Sequence, residues 1–177
     1  MDFKFFLHAR WVWILFFSLF LLGMAAHPPL VGGPAPPFQL KDTGGQTVKL
    51  SDMQEGIVIL NFWATWCVPC VREMPEFQKT HESLKGRVRI VAINLAESKG
   101  QVEEFIKNHQ LSFPVLLDDY GNVSQKYEVV NLPVTYFITP DGIIREKIFG
   151  GGLTRKVIEG KVIQLEKLIQ PDHANNS

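Results

Sequence analysis

Ile57-Val58-Ile59-Leu60-Asn61-Phe62-Trp63-Ala64-Thr65-Trp66-Cys67-Val68-Pro69-Cys70 is the stretch that decides the fold, and it holds both cysteines of the 177-residue chain. The apolar run at its start predicts a buried strand over Ile57 to Trp63. A strand that ends at a Cys-x-x-Cys opening a helix reads as a dithiol/disulfide redox site. Residues i and i+3 lie roughly 5–6 Å apart on a helical turn, so Cys67 and Cys70 can close a disulfide with little backbone movement. Cys67 falls at the helix start, where free N–H groups and the macrodipole favour its thiolate. Cys70, one turn further in, is placed to resolve a mixed disulfide. Order and geometry therefore assign attack to Cys67 and resolution to Cys70.

Three other uses of the pair compete with this one. Zinc needs about four ligands, and the chain has no second cysteine pair; His8, His27, His81, His109 and His173 form no spaced ligand pair. Covalent haem attachment needs a histidine after the second cysteine, and position 71 is Val. An inert bridge over two intervening residues would gain little stability, because the loop it closes is so small.

Phe62-Trp63-Ala64-x-Trp66-Cys67-x-Pro69-Cys70 resembles the active-site segment of the thioredoxin superfamily. Pro75 sits where that family kinks its active-site helix, in keeping with the backbone hydrogen bond an interior proline removes. Leu132-Pro133-Val134-Thr135 resembles the family's cis-proline loop, and the resemblance spans about residues 35–170. It implies a cis Pro133 facing the cysteines, and a substrate-binding surface that includes Trp66, Pro69, Leu132 and Pro133. Position 61 departs from the cytosolic reducing thioredoxins, which carry an acidic residue where this chain has Asn61. Asn94-Leu95-Ala96-Glu97-Ser98-Lys99 instead resembles a segment of the membrane-tethered, TlpA/ResA-like thiol-disulfide oxidoreductases. That likeness implies that Glu97 lies near the cysteines and modulates their protonation. Ser98-x-x-Gln101 also reads as a capping box, which would make Glu97 a residue beside a helix start.

The resemblance implies reduction of disulfides in client proteins, apocytochrome c among them, with a membrane thiol donor recharging the pair. Sulfur itself carries the two electrons, so no flavin, nicotinamide or metal cofactor is implied beyond the redox-active disulfide Cys67–Cys70. Two other classes stand beside it. The opening Gly33-Pro34-Ala35-Pro36-Pro37-Phe38 looks like that of a peroxiredoxin-type thiol peroxidase, although the chain lacks the proline and threonine pattern before its cysteine. A copper-handling module of the same fold is the other, since soft thiolates hold Cu(I).

Residues 1–26 read as a targeting segment. Lys4 and Arg10 precede an apolar stretch from Trp11 to Ala26, and the next Lys or Arg is Lys41. That asymmetry keeps the N-terminus cytoplasmic and exports the rest of the chain. Sixteen residues make about 24 Å of helix against a hydrocarbon core of roughly 30 Å. The small residues of Gly23-Met24-Ala25 suit signal cleavage, so membrane anchor and cleaved signal both remain open. Residues 27–37 are rich in Pro and Gly and read as a semi-rigid linker. Residues 38–171 suffice for one domain with its own core, with a tail over 172–177. Formal net charge is zero, and no basic patch with interleaved aromatics occurs, which argues against nucleic acid. A monomer on the extracytoplasmic, periplasmic side is expected.

Along that domain the sequence predicts an α/β fold, a mixed central sheet flanked by helices with an N-terminal β-hairpin extension. Phe38-x-Leu40 and Thr47 to Leu50 flank Asp42-Thr43-Gly44-Gly45 as a hairpin. The Cys-bearing helix runs to about Leu84, and Val88 to Leu95 is the next strand, joined by a right-handed crossover. Val102, Phe105 and Ile106 carry helical spacing before a short strand, Phe113 to Leu117. A short helix near Val123 to Tyr127 leads to Pro133. Strands Val134 to Ile138 and Ile143 to Phe149 flank the turn Thr139-Pro140-Asp141-Gly142. A closing helix spans Leu153 to Ile169, with Thr154 as its cap. Trp63 is expected in the core.

Overall fold

The computed structural model describes residues 31–169. The expected targeting segment, the first four residues (27–30) of the Pro/Gly linker and residues 170–177 lie outside the described residues. Within them the elements run β1 (Gln39–Asp42), β2 (Thr47–Lys49), a 3-10 turn (Leu50–Met53), β3 (Ile57–Trp63), α1 (Val68–Ser83) and β4 (Val88–Leu95). Next come α2 (Lys99–His109), β5 (Val115–Asp118), α3 (Asn122–Lys126), β6 (Val134–Ile138), β7 (Ile144–Phe149) and α4 (Arg155–Ile169). All seven strands form one sheet in the order β2-β1-β5-β4-β3-β6-β7. Strand β3 pairs parallel with β4 and antiparallel with β6, so the sheet is mixed and its centre is the strand that leads to the cysteines.

Period-two alternation splits β3 between two cores. Ile57, Ile59 and Trp63 face a layer built with Met74 and Phe77 of α1, Val102 and Phe105 of α2, and Ile158, Val162 and Leu165 of α4. Val58, Leu60 and Phe62 face the opposite layer, with Phe38, Val123, Tyr127 and Tyr136. A strand covered on both faces reads as a nearly continuous apolar run, and every residue of β3 is buried. Trp63 is fully buried and packs on Phe105, with ring centroids 4.7 Å apart. The single polar residue of β3, Asn61, donates through Nδ2 to Thr135 Oγ1 across the β3–β6 pair at 2.9 Å.

Several boundaries shift from their sequence expectations for backbone reasons. The fifth strand starts at Val115 and not Phe113, because Pro114 has no N–H for a ladder; its carbonyl still accepts from Ala92 N at 3.0 Å. The last helix starts at Arg155, because the N–H of Leu153 is held by a side chain from α1 and Thr154 Oγ1 accepts from Val157 N at 3.4 Å. The turn before β7 closes with Gly142 N on Thr139 O at 2.8 Å, and Gly142 adopts φ +78°, where a Cβ is disfavoured.

Candidate active site

Parallel β3 and β4 both end at one pole of the sheet, and the redox motif begins there. Cys67 is the N-cap of α1, and its Sγ accepts from Cys70 N at 3.3 Å. Val68 and Pro69 fill the first helical positions, where a missing N–H costs nothing. Cys67 and Cys70 are joined as a disulfide with their Cα atoms 5.2 Å apart. Cys70 is fully buried and Cys67 is 5% exposed, whereas Trp66 beside it is 68% exposed. The outer sulfur thus borders an open aromatic surface and the inner one is enclosed by the core. Pro75 lies inside α1 and leaves Val71 O without its usual helical donor.

The Leu132–Pro133 peptide is cis, as the resemblance implies. Val134 pairs with Phe62 on one side and Phe149 on the other, so Pro133 stands at the end of β3 from which the cysteine loop departs. Pro133 O accepts from Gly150 N at 2.9 Å, and half-buried Leu132 packs against both cores, including the layer that contains Cys67 and Cys70. Trp66, Pro69, Leu132 and Pro133 therefore share one pole with the disulfide.

Glu97 reaches the loop just before the cysteines. Its Oε2 accepts from Thr65 N at 2.7 Å and from Asn94 Nδ2 at 2.7 Å, and its Oε1 accepts from Thr65 Oγ1. Ala96, in the left-handed region at φ +54°, turns the chain so that Glu97 points back toward Thr65. The capping box is present as well: Ser98 Oγ accepts from Gln101 N at 3.5 Å and Gln101 Oε1 accepts from Ser98 N at 3.3 Å. The two readings of this segment are thus compatible, with Glu97 on the redox loop and Ser98 on the helix start.

A second glutamate was not singled out by the motifs. Glu73 is 3% exposed and lies one helical turn beyond Cys70. Its Oε1 accepts from Leu153 N at 2.7 Å, and its Oε2 has no protein partner. Burial pushes this carboxyl above the usual range, opposed by the N–H groups of Leu153 and Gly152. One turn on, Glu76 Oε2 accepts from Arg155 N at 2.9 Å. Two carboxylates of the first helix thus hold the entry to the last. The available signal for Glu73 was its position: 70, 73, 74 and 77 fall on one helical face, so a charge there interrupts an apolar stripe.

Between these parts runs the Gly150–Gly152 strap. A Cβ on Gly151 would stand 2.8 Å from Pro69 Cβ, so a side chain there collides with the residue between the cysteines. Pro69, Arg72, Glu73 and Glu76, with Gly151 and Gly152 of the strap, line a cavity of about 400 Å³ next to the cysteine segment.

Known proteins resemble this chain in sequence and fold. The profile of the AhpC/TSA family matches residues 31–147. The thiol-disulfide oxidoreductase ResA of Bacillus subtilis (strain 168) is 41% identical over 128 residues, 72% of this chain and 71% of its own. ResA of Oceanobacillus iheyensis is 44% identical over 135 residues, 73% of this chain and 70% of its own. Among solved structures, a Chlorobium tepidum protein described as a thiol:disulfide interchange protein DsbE superposes with a TM-score of 0.70 at 29% identity, over 77% of this chain and 96% of that one. StoA from Bacillus subtilis gives 0.63 at 26%, over 81% and 100%.

Proposed function

The chain belongs to the AhpC/TSA family and is a thiol-disulfide oxidoreductase with a thioredoxin-like fold; from that premise we propose that it is an extracytoplasmic reductant of disulfides in client polypeptides, apocytochrome c among them. The observation that carries the reading is the asymmetry of the pair: Cys67 caps a helix beside exposed Trp66, and Cys70 is sealed beneath it. Such a pair reacts in a fixed order. In the reduced protein the Cys67 thiolate attacks one sulfur of the client disulfide, the client S–S bond breaks, and a mixed disulfide forms. The Cys70 thiolate then attacks Cys67 Sγ, the intermolecular bond breaks, and the Cys67–Cys70 disulfide forms. Two electrons pass to the client, which leaves as a dithiol after taking up protons.

Two acidic groups divide the remaining work. Glu73, three residues from Cys70 on one helical face, has its carboxyl pushed above the usual range by burial and accepts from Leu153 N, which keeps the entry to α4 against the helix that carries Cys70. Glu97 fixes the turn from Ala64 to Cys67 through Thr65, and its negative charge opposes thiolate formation nearby. Leu132 and Pro133 present backbone and apolar surface to an extended client chain, together with Trp66 and Pro69. A membrane thiol donor restores the dithiol, and residues 1–26 export or tether the domain as a monomer. The chemistry asks for no cofactor other than the cysteine pair. Peroxide reduction fits less well, because the outer cysteine is followed at once by its own resolving partner and a client surface surrounds it.

Reduction of insulin by the purified protein, driven by dithiothreitol and compared with Cys67→Ala, tests the reading. A wild-type rate no greater than that of Cys67→Ala overturns it.

A further inference from the structure

The client surface does not stop at Pro133. Strand β7 is one of the sheet's two edges, and its last residue, Phe149, is 66% exposed although it pairs with fully buried Val134. Two residues earlier Lys147 lays its ammonium 4.9 Å from the Phe149 ring centroid and 5.2 Å from that of Tyr136. No carboxylate lies within 4.0 Å of Lys147 among the described residues, whereas neighbouring Lys161 is paired with Glu146. The ring is therefore propped on the surface by a cation whose charge is unspent.

Backbone groups there are free as well. Because Gly150 N bonds Pro133 O, antiparallel alternation makes 135/148 the next bonded pair and turns the N–H and C=O of Phe149 and Lys147 away from β6. Residues 32–35 cover the far end of this edge, with Gly32 N on Ile144 O at 2.7 Å and Ile144 N on Gly33 O at 2.9 Å. Among the described residues no strand pairs with Lys147 or Phe149 on that outer side. A groove of about 490 Å³ runs along the edge between Glu146, Phe149, Gly152, Leu153 and Val157. It shares Gly151, Gly152 and Leu153 with the cavity beside Pro69. A lysine on an edge strand also serves to discourage pairing between copies. That purpose leaves the exposed phenylalanine unexplained.

We propose that Lys147 and Phe149 form an accessory subsite for the client polypeptide, which adds an extended segment to the β7 edge and sets an apolar side chain on Phe149 and a carboxylate on Lys147. The proposal rests on the reading of the chain as a reductant of polypeptide disulfides, and it names which polypeptides. Strands lie about 4.8 Å apart, so a segment outside β7 runs roughly 14 Å from β3, about four extended residues from the target cysteine. Lys147 and Phe149 share a face, so the client residues that meet them are two apart. The preferred client thus carries an apolar residue about four positions from its cysteine and an acidic one about six.

The test removes thiol chemistry. Fluorescein-labelled peptides with Ser for the target cysteine, one with Leu and Asp at those spacings and one with Gly and Ser, are titrated against the oxidised full-length protein by fluorescence anisotropy. Wild type should prefer the Leu/Asp peptide by about tenfold, and Phe149→Ser should abolish the preference. Lys147→Glu should reverse it toward a Leu/Lys peptide, a gain that no misfolded variant can give. Equal binding of both peptides by wild type, or an unchanged preference in both variants, overturns the proposal. Either outcome leaves insulin reduction to judge the exchange reading separately.

Discussion

Glu97 and Thr65 clasp the loop that carries the attacking cysteine: one carboxylate accepts both the N–H and the hydroxyl of Thr65, across 32 residues of sequence. Thr65 alone engages both oxygens of Glu97, and Asn94 Nδ2 adds a second donor to Oε2. A charge held this firmly near Cys67 should be felt by the thiol. Glu97→Gln keeps an acceptor for Thr65 N but removes the charge, so alkylation of the reduced protein should reach half-maximal rate at a lower pH than in wild type. Asn61→Ala should move the curve less. A Glu97→Gln curve that overlays wild type would confine Glu97 to holding the loop.

The pair should divide its labour strictly. Cys70→Ala is expected to accumulate mixed disulfides with clients through Cys67, and Cys67→Ala to accumulate none. Nonreducing gels decide it, and equal trapping by the two variants refutes the order of attack.

Glu73 should make stability depend on pH with an unusual sign for a carboxylate. Its folded-state pKa is raised, so between the unfolded value near 4.3 and the raised one the native state binds more protons than the unfolded state. Its contribution is intact at low pH and declines as pH rises through that window. Glu73→Gln, a neutral stand-in for the protonated form, should therefore gain on wild type in urea midpoint as pH increases. A difference that is constant from about pH 4 to pH 8 rejects this account of the buried oxygen.

Gly151→Ala should be costly although its φ lies outside the left-handed region. The new methyl would stand 2.8 Å from Pro69 Cβ, 3.5 Å from its Cα and 3.6 Å from its carbonyl oxygen, all on the segment between the cysteines. Overpacking of this kind costs about 1–3 kcal/mol. Urea unfolding and insulin reduction should both decline. A variant unchanged in both would show that the strap yields freely.

Export is expected from the Lys4 and Arg10 asymmetry. Alkaline phosphatase fused after Ser177 should be active, since that enzyme matures only outside the cytoplasm. An inactive fusion that is nevertheless full-length and abundant counts against an extracytoplasmic domain.

How much the sequence disclosed depended on how local each signal was. Strand β3 and the Cys-x-x-Cys helix were legible because burial on both faces and a helix cap each write themselves into consecutive residues. Pro114 and Leu153 shifted boundaries for opposite reasons, one by lacking an N–H and the other by lending its N–H to Glu73. Glu73 escaped notice because its partners lie 80 residues away, and nothing within its own helix shows that Leu153 will arrive beside it. Phe149 looked like an ordinary strand residue. Only the strand order, which leaves β7 on the outside, turns it into surface.

The hold of Glu73 and Glu76 on the start of α4 has a consequence for how the protein is made. A ribosome releases the cysteines some 80 residues before the segment that encloses them, since the bonds to Leu153 and Arg155 span 80 and 79 positions. Until α4 docks, Cys70 lacks Leu153, Ile158, Val162 and Leu165, which belong to its own core layer. A nascent chain halted before Gly152 should therefore leave Cys70 more accessible than in the finished fold, and maleimide labelling of stalled chains would show it. Enclosure of the inner sulfur is completed last, by α4, which contains no cysteine at all.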